Sequence, residues 1–97
     1  MLPKQIKVAG HLIRVILKDR ISKHENIVGK ANYAEGTIVL SKIDKSGSKI
    51  CKQSMQENMF HEVIHHICAK YDARISESNV RRISEGLFQV LKDNKLI

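Results

Sequence analysis

The segment His61-Glu62-Val63-Ile64-His65 sets two imidazoles four residues apart, with a carboxylate directly after the first. On a helix, positions i and i+4 share a face, so both rings can reach one zinc ion while Glu62 leans over the remaining coordination position. This arrangement suits metal-assisted hydrolysis, in which a carboxylate near the metal but not bound to it moves the proton of the attacking water. The bland alternative leaves both histidines as surface or core residues and Glu62 as an ordinary helix carboxylate.

A hydrolytic zinc site takes three protein ligands and keeps one position open. No His follows His66, and an extended motif with a third His is absent because its positions hold Cys68 and Tyr71. The downstream carboxylates are Asp72, Glu77, Glu85 and Asp93. Only Glu85 lies inside a strongly patterned helix, expected over Glu77 to Asp93 from the spacing of Val80, Ile83, Leu87, Val90 and Leu91. Glu85 sits beside that stripe with Phe88 on the border, which predicts partial burial. A half-buried carboxylate wants a partner, and zinc would be one. Cys68, three residues after His65, is weighed as a ligand against a packing role as a small buried residue.

At this point the chain resembles the thermolysin-like gluzincins, in which a glutamate from the next helix follows the second motif His by the twenty positions that separate His65 from Glu85. It looks like a minimal gluzincin of the kind encoded by phages and mobile elements, and the run Ser84-Glu85-Gly86-Leu87-Phe88-Gln89-Val90-Leu91-Lys92-Asp93-Asn94 resembles the tails of those proteins. The resemblance covers about Gly29 to Asn94. It implies a zincin-like α+β fold, zinc held by His61, His65 and Glu85, and Glu62 as general base in a zinc metallopeptidase acting on a polypeptide. It implies an extended substrate along Gly29 to Ala34. The larger members carry an Asp four residues after the glutamate to orient the first His, where this chain has Gln89. They also steady the oxyanion with a Tyr or His from a further subdomain; Tyr71, His66, His24, His11 and Tyr33 are the candidates here, and His66 is expected to point away from the motif face.

The elements that must position these residues are read from pattern. Ninety-seven residues are expected to make one domain. Ile6 and Val8 alternate with polar neighbours and Leu12 to Leu17 is rich in Ile and Val, together a hairpin turning at Gly10-His11, with Asp19 to Asn26 as a polar loop. Gly29 to Ala34 and Thr37 to Ser41 form a second hairpin around Glu35-Gly36, giving an antiparallel-rich sheet of about four strands. Lys42 to Lys52 reads as an exposed loop. Ser54 with Glu57 fits a capping box, so the motif helix is expected from about Met55 to Lys70, with Phe60, Ile64, Ile67 and Tyr71 as its core face. Gly86 inside the last helix predicts close approach to a neighbour.

Seventeen Lys and Arg against ten Asp and Glu give a formal charge of +7. Such a surface attracts polyanions, but few aromatics are interleaved to stack on bases, so weak nucleic-acid association competes with a plain solvated basic surface. No run is long enough to cross a bilayer and no secretory signal opens the chain, so the expected setting is cytoplasmic, without a membrane partner. Cys51 and Cys68 do not establish a disulfide. Two rivals to the peptidase stand beside it: a non-catalytic zinc domain acting through a partner protein, and a basic module associated with nucleic acid.

Overall fold

The computed structural model describes residues 2–21 and 27–97. Two β-hairpins precede two helices: β1 (Gln5–Val8), β2 (His11–Lys18), β3 (Gly29–Asn32), β4 (Thr37–Ser41), α1 (Lys52–Tyr71) and α2 (Glu77–Asp93). The first hairpin turns on Ala9 and Gly10, both at positive φ, the backbone that matches a two-residue turn to the twist of its strands. The second turns through Tyr33 to Gly36, where Asn32 accepts a hydrogen bond from the Glu35 N–H.

The sheet runs β1-β2-β4-β3, antiparallel within each hairpin and parallel between β2 and β4. It is therefore mixed, and β3 is an edge strand. Side chains alternate across a strand, so Ile13 and Val15 of β2, Ile38 and Leu40 of β4, and Gly29 and Ala31 of β3 share one face. That face buries Val8, Ile13, Ile38 and Leu40 against Met59 of α1.

Helix α1 is the middle layer, meeting the sheet on one side and α2 on the other. Two-sided packing explains why its sequence has no clean apolar face; the residues buried are Met59, Glu62, Ile64 and His66. The expected core face is thus corrected: Phe60 packs on Phe88 and Ile64 is buried, whereas Ile67 and Tyr71 are exposed. Cys51, not Ser54, caps the helix, its sulfur accepting from the Ser54 N–H, so α1 begins earlier than the capping-box reading placed it. Asp72 ends it in the left-handed conformation, with its N–H turned back to the Cys68 carbonyl. Cys51 and Cys68 are both free.

Helix α2 is capped by Ser76 and packs on α1 alone among the named elements. Its buried line is Val80, Ser84 and Phe88, while Ile83, Leu87 and Val90 of the expected core stripe face outward. Gly86 is not a site of close approach in this chain, since nothing lies within 4 Å of where its Cβ would stand. Among the described residues, no helix is long and apolar enough to cross a membrane.

Candidate metal centre

One turn of α1 separates His61 from His65, and the two rings lie with centroids 4.9 Å apart and Nε2 atoms 3.2 Å apart. The carboxylate that meets them is Glu77, in the first turn of α2. Its Oε1 is 2.6 Å from His61 Nε2 and its Oε2 is 2.8 Å from His65 Nε2. Among the described residues, these three form the group of His, Cys, Asp or Glu donors close enough to hold one metal ion. Four-coordinate zinc with ligands at 2.0–2.1 Å sets neighbouring donors about 3.3 Å apart. The two nitrogens already stand near that spacing, and Glu77, whose side chain is 70% exposed, is free to open the remaining gap. Two imidazoles and one carboxylate are also a donor set that zinc favours in hydrolytic sites.

Glu85 is not in this group. Eight residues on from Glu77, it stands about 12 Å along α2 and about 80° around it, exposed on the rim of the same cleft. Nor does Gln89 reach the first His: it donates instead to Asp93 on the outer side of α2. Cys68 is half-buried beside Tyr33 and His65 but outside the donor group.

Glu62 is buried at 7% exposure, on the side of α1 that faces β3. It lies over Gly29, where a Cβ would come within 2.8 Å of Glu62 Oε2. Gly29 is in ordinary strand backbone, so the close approach of the carboxylate, rather than any special φ, gives its lack of a side chain a purpose. Burial, and then the charge of Glu77, push the Glu62 carboxyl up from its ordinary 4.5 to about 7. Glu77 moves the other way. Desolvation acts to raise it, but the hydrogen bond and charge of His61, and then those of His65, outweigh that and leave its carboxyl below 4.5.

The Glu62 shift has a consequence for folding. Between pH 4.5 and about 7 the native protein holds a proton that the unfolded chain releases, so the metal-free protein loses stability as pH rises through that window. The loss has a ceiling of about 3 kcal/mol. Glu62→Gln is expected to flatten this limb, as read by urea unfolding of metal-free protein at a series of pH values; coincident slopes for the two proteins would show that Glu62 is not held in a charge-excluding site. Glu77 has the opposite sign, contributing above its ordinary pKa and losing that contribution as pH falls through its lowered value.

Of the candidate oxyanion partners, Tyr33 is the one beside the histidines. It lines one cleft with His61, Glu62, His65 and Glu77. Desolvation, and then the charge of Glu62, raise its pKa, which keeps the phenol protonated and able to donate. Tyr71 is 66% exposed at the end of α1, and His11 is exposed at the first hairpin turn. His24 lies outside the described residues. His66 does point away from the motif face, but into the core and not to solvent: it is fully buried and donates from Nε2 to the Thr37 carbonyl at 2.9 Å, edge-on to Tyr33.

Comparisons with protein-family models, with curated proteins and with solved structures find no match for this chain. Its functional reading rests on the geometry of the site.

Proposed function

We propose that the chain is a zinc-dependent metallopeptidase of minimal, zincin-like architecture, with His61, His65 and Glu77 as metal ligands and Glu62 as general base. The observation that carries this reading is the joint placement of three convergent donors and a separate buried carboxylate. Glu62 shares a cleft with the donors yet stands outside their group, which is the separation between ligand and base that such hydrolysis requires. Bound zinc would supply an activated water and polarise the scissile carbonyl. A carboxyl with a pKa near neutrality can take a proton from water and return it to a leaving amine.

In this reading the cleft of about 420 Å³ receives substrate side chains. Tyr33 donates to the developing oxyanion, so Tyr33→Phe should lower kcat about a hundredfold with zinc content unchanged; an unaltered kcat would remove Tyr33 from that role.

The test of the whole reading is turnover of an unstructured protein substrate by zinc-loaded protein, lost on chelation and regained on zinc addition. Stoichiometric zinc without turnover would favour the non-catalytic zinc domain instead. Absence of zinc after resupply would sink both.

A further inference from the structure

The outer face of α2 is apolar, and among the described elements α2 packs only on α1. Ile83, Leu87 and Val90 are 47%, 43% and 54% exposed, and their spacing places them within about 60° of one another on the helix. Gly86 lies on the border of the same face with open space beyond it. A glycine inside a helix is a poor helix former, and this one serves no packing purpose within the chain. Its use would be to let another helix come close.

The charges beside this face say which helix. Arg82 and Asp93 are eleven residues apart, so they share one flank of α2 to within about 20°. Their midpoint falls next to Leu87, the middle residue of the apolar stripe. Among the described residues neither forms an ion pair: Arg82 donates to Asn79, and Asp93 accepts from Gln89. In an antiparallel pair of identical helices related by a two-fold axis, like flanks face each other. The axis that stacks stripe on stripe also brings Arg82 of one copy to Asp93 of the other, twice.

We infer that the chain self-associates through α2, as an antiparallel two-fold dimer with Gly86 and Leu87 near the axis. This proposal is independent of the metal site. One seventeen-residue helix presents less surface than the ~800 Å² per partner of a standard interface, so the dimer is weak and concentration-dependent.

Sedimentation velocity of the full chain from about 1 µM to about 1 mM tests it across the range of weak affinities. The expected result is a mass that rises from one chain to two. Leu87→Glu should remain monomeric throughout with unchanged circular dichroism. Arg82→Asp should weaken the dimer about tenfold, and adding Asp93→Arg should restore it, a rescue that only a contact between these two flanks produces. Gly86→Ala should raise Tm while weakening the dimer. A monomer at every concentration overturns the proposal, as does a dimer indifferent to both Leu87→Glu and the charge exchange.

Discussion

Glu77→Ala is expected to strip zinc from the protein, while Glu85→Ala leaves it bound. Both residues are exposed glutamates of α2 lining one cleft, and they differ in where the helix puts them. Glu77 already bridges both imidazoles, so a metal held there would replace its two hydrogen bonds with bonds from all three side chains. Removing an outer partner of a metal ligand typically lowers affinity about 10–100-fold, and deleting one of three ligands should exceed that. The loss has a structural side. Because α2 touches no other named element than α1, a metal shared by His61, His65 and Glu77 would fasten the two helices together. Zinc should therefore raise the Tm of the native protein and leave that of Glu77→Ala unchanged. Competition against a chromophoric chelator, run on both variants, separates the two glutamates. Zinc retained by Glu77→Ala and lost by Glu85→Ala would reverse the assignment and imply that α2 slides or rotates when metal binds.

That prediction turns on what a sequence pattern can carry. The extent of helix α2 is legible, since the periodic residues from Val80 to Leu91 place it over Glu77 to Asp93, as the structure does. Which side of it faces α1 is not. The apolar residues cover nearly half its circumference, and Val80 belongs to both the buried line and the apparent stripe. The packing is decided by Phe88 against Phe60 and by small Ser84, which lets the helices approach. Polar Ser84 gives no apolar signal for this. Once the helix is turned that way, Glu77 swings to the histidines and Glu85 away. In the sequence, Glu77 looks like the ordinary acid of a helix first turn, favoured there by the backbone dipole alone.

The same limit applies to the sheet. Each hairpin announces itself through strand-forming residues and a turn signal, because both are local, although the first turns on Ala9-Gly10, one residue before the expected Gly10-His11. The parallel pairing of β2 with β4 joins residues such as Val15 and Ile38 across the second hairpin's own strand β3, and no local pattern encodes it. Yet that pairing is what leaves β3 at the edge, next to α1. His66 shows the converse: its polarity suggests solvent, but it is buried, with Nε2 donating to the Thr37 carbonyl and Nδ1 without a partner among the described residues.

Glu62→Gln should abolish hydrolysis while leaving zinc in place. The amide keeps the shape of the carboxylate and removes its basicity, and general-base catalysis is worth about 10²–10⁴-fold. Zinc retention follows because Glu62 lies outside the donor group. The companion variant is Gly29→Ala. Alanine in strand backbone ordinarily costs nothing or stabilises, since glycine loses more freedom on folding. Here the added methyl would stand 2.8 Å from Glu62 Oε2 and drive the carboxylate aside. A displacement on the order of 1 Å can cost about a hundredfold in rate, so Gly29→Ala should be slow with a full complement of zinc. Stability supplies the control that activity cannot. Gly29→Ala should be less favourable to Tm in the wild type than in Glu62→Ala, where the clash has no second party. Equal shifts in the two backgrounds would mean that the methyl does not meet Glu62, and Gly29 would then have no part in placing the base.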